Sequence, residues 1–169
     1  GGRCRRSPVA AGMRQLRAEL RARGIRFCPH FWLSDEWFCP DGVPGIAVPF
    51  YLVHPRLIAL EEKWIGYAEG SNHPWLMKLL RHEAGHAFEN AYGLRRNPLR
   101  IEVFGQTETP YPKSYLPQPF SRQYVTHLSD QYAQSHPDED FAETFAIWLT
   151  PGSRWQQRYR TGAARRKLD

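Results

Sequence analysis

His82-Glu83-Ala84-Gly85-His86 is an H-E-x-x-H stretch, a pattern that can bring two imidazoles and one carboxylate to a single metal ion. Residues four apart share a helix face, so His82 and His86 can offer two ring nitrogens to one cation. Glu83 is turned about 100° from His82 around such a helix. It cannot ligate beside the histidines, but it can act as base toward a water on the ion. Zinc held in this way needs a third protein donor and leaves a fourth position for water.

The flanks of the motif favour a helix. Trp75, Leu76, Leu79, Leu80, Ala87, Phe88 and Ala91 recur at three- and four-residue steps. Ser71 or Asn72 can cap the start, Pro74 fits the first turn and Gly93 fits the end, which together predict a helix over 73–92. Downstream, Pro137 can open a second helix, over 138–149. The run Asp138-Glu139-Asp140 suits its positive N-terminal end, and Phe141, Phe145 and Trp148 give it an apolar stripe. Glu139 and Glu143 lie four apart on one face. Such a pair is costly to bury without a cation or hydrogen-bond donors. Helical spacing permits either glutamate as the third donor.

These residues carry a family resemblance. The H-E-x-x-H motif followed by a helix with a liganding glutamate resembles the gluzincin branch of the zincin metallopeptidases. Tyr132 with the run Glu139-Asp140-Phe141-Ala142-Glu143-Thr144-Phe145 is similar to the corresponding segment of anthrax lethal factor-like peptidases. Together with the tracts 32–38 and 45–51, these segments resemble a bacterial family of zinc-binding metallopeptidases, over residues 27–155. The resemblance implies an α+β zincin-like fold with a small mixed sheet, an H-E-x-x-H helix and a downstream glutamate-bearing helix. It implies one zinc per chain held by His82, His86 and Glu139, with Glu83 as general base. It makes Tyr132 the residue that steadies the oxyanion, and Glu143 a carboxylate that orients a ligand histidine. Glu143 stays an alternative ligand, because register alone favours Glu139. Asp140 departs from the pattern, which has an apolar residue there. The implied reaction is hydrolysis of a peptide or related amide bond in a peptide or protein substrate. Two other readings are a zincin scaffold that binds with little hydrolysis and a protease recruited to nucleic acid.

The chain as a whole bounds these readings. Its 169 residues are enough for one domain with a core, and 41% hydrophobic content with six Trp excludes a disordered chain. No apolar run approaches a membrane span, and residues 1–26 show no secretory leader. Charge is unevenly spread. Residues 1–26 hold eight Arg against Glu19, and residues 154–169 hold five Arg and Lys167 against Asp169, so the stretch between is acidic in a chain of net charge +6. The expected organisation is a basic N-terminal helix within 1–26, a metallopeptidase domain over 27–155 and a basic tail over 156–169. Met13, Leu16 and Leu20 favour a helix over 8–23 docked on the core rather than a nucleic acid-binding arm. Cys4, Cys28 and Cys39 form no disulfide framework, which fits free thiols in a cytoplasmic protein.

Between the motifs, Ile46 to Val53 reads as the best strand, with Pro49 favouring an edge that could take up substrate backbone. Leu57 to Tyr67 can begin another helix. Residues 97–131 read as a long connection. Pro110, Pro112, Pro117 and Pro119 stiffen its centre, with Tyr111, Tyr115 and Phe120 interleaved. Such a segment can form a cleft wall or simply cover the core. His127 and His136 are expected to be exposed or hydrogen-bonded rather than ligands.

Overall fold

The computed structural model describes residues 7–169; Arg3, Cys4, Arg5 and Arg6 of the basic N-terminal stretch lie outside the described residues. The first helix, α1 (Pro8–Ala22), starts where the Ser7 hydroxyl accepts the Ala10 N–H at 3.2 Å. Val9, Met13, Leu16 and Leu20 recur every three or four residues and are buried. Its Glu19 pairs with Arg81 at 2.7 Å, directly before the H-E-x-x-H motif. This basic segment is therefore a wall of the core, packed on the helix that carries the motif.

Two short parallel strands follow, β1 (His30–Ser34) and β2 (Gly45–Pro49), in register from His30 opposite Gly45 to Ser34 opposite Pro49. All five residues of β2 are buried. The strand ends at Pro49, and the apolar residues Phe50–Val53 form a 3-10 turn instead of continuing it. Nor is β2 an open edge: β1 lies along it, and Ala47 donates to the Phe38 carbonyl at 2.8 Å in an isolated antiparallel bridge. The sheet is mixed only through that bridge. Helix α2 (Pro55–Ile65) buries no residue completely and leaves Leu60, Trp64 and Ile65 exposed.

Helix α3 (His73–Tyr92) is the centre of the molecule. The Asn72 side chain accepts the Trp75 N–H at 3.0 Å, and Gly93 ends the helix in the left-handed conformation. The expected connection over 97–131 begins with a helix, α4 (Pro98–Phe104), capped by Asn97. Helix α5 (Pro137–Leu149) then packs along α3. The main core joins α1, β2, α3 and α5 through Leu16, Leu20, Val48, Leu76, Leu80 and Leu149.

The basic C-terminal stretch folds back on the domain. After α6 (Trp155–Arg158), α7 (Ala163–Leu168) places Ala164 and Leu168 in a second apolar cluster with Trp155, Val125 and Ile147. Its cations are engaged locally: Lys167 with Asp140 at 2.5 Å, Arg165 with Asp169 at 2.8 Å and Arg166 with Glu102. Asp140, the departure from the family pattern, is thus the buried partner of Lys167. Among the described residues Cys28 and Cys39 are free, and no helix is long and apolar enough to cross a membrane.

Candidate metal centre

Helices α3 and α5 meet at a point that the motif itself makes possible. A Cβ at Gly85 would stand 2.8 Å from the Ala142 Cα, which is backbone and cannot swing aside. Glycine here lets the two helices touch backbone to backbone. Glu139 and Glu143, one turn before and one residue after Ala142, are thereby brought against His86 and His82.

Three donor atoms converge. His82 Nε2 is 3.2 Å from His86 Nε2 and 3.1 Å from Glu139 Oε2, and His86 Nε2 is 3.2 Å from the same oxygen. All three side chains are buried. Zinc bonds of about 2.0–2.2 Å at tetrahedral angles set donors about 3.3–3.5 Å apart. The observed triangle is close to that spacing, and these three residues could hold a metal ion. Two imidazole lone pairs and a carboxylate oxygen this close repel one another unless a proton or metal ion lies between them.

The protonation energetics point the same way. Burial opposes charge on His82, yet its bonds to Glu139 and Glu143 outweigh burial and raise its pKa to about 10. Burial would raise Glu139, but the bonds from His82 and His86 hold it well below the ordinary carboxylate range. Both shifts say that positive charge is favoured among the three atoms.

Glu143 lies behind the triangle. Its Oε1 is 2.8 Å from His82 Nδ1, while its Oε2 accepts the N–H groups of His127 at 3.2 Å and Leu128 at 2.8 Å. A carboxylate on Nδ1 fixes the proton there and turns the Nε2 lone pair toward Glu139. His127 is buried, with its ring nitrogen 2.9 Å from the Lys78 carbonyl, so it packs and hydrogen-bonds outside the triangle. His136 caps α5, its Nδ1 accepting the Asp138 N–H at 3.1 Å.

Glu83 occupies the cleft side of α3. Its Oε2 is buried and has no hydrogen-bond partner among the described residues. Burial raises its proton affinity, while the neighbouring His82 and His86 lower it, and burial wins. Tyr132 sits in the 3-10 turn Ser129–Gln134, its ring centroid 5.7 Å from that of His82. Its hydroxyl makes no hydrogen bond among the described residues, and burial followed by the charge of Glu139 pushes its pKa up.

One residue of the site escaped the sequence reading. Tyr111, in the proline-rich connection, donates its hydroxyl to Glu139 Oε1 at 2.8 Å and stacks on His136 with ring centroids 3.7 Å apart. Tyr115 lies nearby and donates to the Asp130 carbonyl at 3.0 Å. Both tyrosines line a cleft of about 1040 Å³ that also holds His82, Glu83, His86, Tyr132 and Glu139. The segment is a cleft wall. The only sequence signal was tyrosine alternating with proline.

An α+β chain whose two central helices converge a His-His-Glu cluster on an open cleft has the parts of a metallohydrolase. Residues 72–163, more than half of the chain, match the model of the family described as "putative zinc-binding metallo-peptidase", and the chain belongs to that family. No curated protein and no solved structure matches it.

Proposed function

We propose that the protein is a zinc-dependent metallopeptidase of the zincin, gluzincin-like type, with His82, His86 and Glu139 holding the ion. The observation that supports this most is the triangle of three lone-pair atoms within 3.2 Å of one another, next to a buried carboxylate oxygen of Glu83 with no partner among the described residues. A bound zinc would supply Lewis acidity to the scissile carbonyl and acidify a water.

The chain's own groups do the rest. Glu83 takes a proton at Oε2 and returns it to the departing amine. Its burial favours the first step, and the two histidines beside it keep that proton from being held too tightly. Glu143 keeps His82 in one tautomer and one orientation. Tyr132, whose hydroxyl makes no hydrogen bond among the described residues and which lines the same cleft, donates to the carbonyl oxygen as it gains charge.

The test is cleavage of a peptide library by zinc-loaded protein and by Glu83→Gln, with zinc content measured on both. Glu83→Gln should keep its zinc and lose about two orders of magnitude or more in rate. Tyr132→Phe should lower kcat with little change in zinc content. Zinc retention with no cleavage by the wild type would instead favour a zincin scaffold used for binding. Cleavage by Glu83→Gln at the wild-type rate would remove Glu83 from the mechanism.

A further inference from the structure

Against Leu79, one turn before Glu83 on α3, lies the turn Ala68-Glu69-Gly70. Gly70 is in the left-handed region at φ +81°, and a Cβ there would meet Leu79 Cδ1 at 3.3 Å and Trp37 Cζ2 at 3.4 Å. The turn is therefore pressed onto the Trp37 and Leu79 wall of the cleft, and the Tyr51 hydroxyl holds it by donating to the Glu69 carbonyl at 3.3 Å. Glu69 lines the cleft together with Trp37, Trp75 and Leu79.

The Glu69 side chain makes no hydrogen bond or ion pair among the described residues. Of the other cleft acids, Glu83 likewise makes no side-chain hydrogen bond or ion pair among the described residues, and it is the base of the proposed reaction. Glu139 is in the triangle, Glu83 stands beside it, Asp41 pairs with Arg95 at 2.6 Å, and Asp130 is exposed. Of the cleft cations, Arg95 is also bonded to Glu89 at 3.2 Å, and Lys78 is exposed beside His127. Burial raises the pKa of Glu69, the charge of Glu83 raises it further and His82 opposes both, so its carboxylate is near enough to feel the motif. A half-buried carboxylate without a counter-ion among the described residues, in a cleft that is also lined by Trp37 and Trp75 and within electrostatic reach of Glu83, suits a cation.

We propose that Glu69 selects substrates that place an ammonium or guanidinium group next to the bond being cut. This rests on the peptidase reading, and it names the substrate class of that same cleft. Two sources carry the group: a Lys or Arg side chain, or the free N-terminal amine of a peptide. The indole rings of Trp37 and Trp75 suit either one.

The experiment uses zinc-loaded protein and matched peptides with Lys, Arg, norleucine or Glu beside one scissile bond, each N-acetylated and with a free N-terminus. In wild type, kcat/KM for a cationic peptide should exceed that for its neutral match by about tenfold, as for a partly desolvated charge pair. If acetylation removes the preference, the amine is the source. If Lys and Arg carry it in acetylated peptides, the side chain is. Glu69→Gln should bring the cationic-to-neutral ratio close to one, Glu69→Asp should keep part of it, and Glu69→Lys should turn it toward Glu. Equal rates for charged and neutral peptides, or a ratio that Glu69→Gln leaves unmoved, would overturn the proposal while leaving the peptidase standing. If no peptide is cut, the peptidase reading falls by itself. Equilibrium binding of the same peptides to wild type and Glu69→Gln then decides this one: tighter cationic binding lost in Glu69→Gln supports it, and equal binding overturns it.

Discussion

Asp138 and Glu139 are neighbours on the first turn of α5 and both are buried, yet their carboxylates meet opposite surroundings. Asp138 faces arginines. Arg100 reaches it at 2.5 Å while also bonding Glu89 at 2.6 Å and the Gly105 carbonyl at 2.5 Å, and Arg95 adds contacts to Glu89 and Asp41. Among the described residues Glu139 bonds only two imidazoles and the Tyr111 hydroxyl, with Glu83 and Glu143 close by. The two clusters draw on the same pair of helices: His86 and Glu89 are one turn apart on α3. In one the chain supplies its own counter-charge; in the other, three carboxylates gather around two histidines. Closed ion pairs hold the helices in place, and the open cluster beside them could take an external cation.

Four substitutions separate the two clusters. The largest effect should come from Arg100→Ala, which leaves Glu89 and Asp138 buried with too little positive charge. It should cost about 3–5 kcal/mol by urea denaturation, with or without zinc. A stable Arg100→Ala protein would mean that the arginine cluster does not fix the helix pair. Next comes the carboxylate pair. Glu143→Ala should weaken zinc about 10- to 100-fold through loss of His82 orientation, and Glu139→Ala should weaken it more. Chelator competition would reveal the reverse order if Glu143 were the ligand. The smallest effect is expected for Tyr111→Phe, which removes one hydrogen bond to the Glu139 carboxylate in a partly solvated place. A loss of about two- to tenfold in zinc affinity fits such a bond. No loss would make Tyr111 a packing residue of the cleft wall.

Some of this was legible in sequence and some was not. Helix α3 was readable from its periodicity, Asn72 and Gly93, because those signals are local. The same holds for Pro137 and α5. Apolar character alone could not tell where β2 ended, since Phe50–Val53 is as apolar as the strand and takes a 3-10 turn after Pro49. Helix α4 was hidden because it has only seven residues, its fully buried residue is Arg100, and Leu99-Arg100-Ile101-Glu102-Val103 alternates as a strand would. The acid run 138–140 read as one dipole-stabilised group, whereas each member has its own partner: arginines, histidines and Lys167. Tyr111 and Glu69 were out of reach for another reason. Periodicity shows which residues of one element share a face, but not what faces them across a cleft.

Elemental analysis of the purified chain, metal-replete and then dialysed, tests the metal centre most directly. About one zinc per chain is expected, lost in His82→Ala, His86→Ala and Glu139→Ala but kept in Glu83→Gln and Arg100→Lys. A wild-type chain without zinc, or one whose zinc survives all three ligand substitutions, would contradict the account.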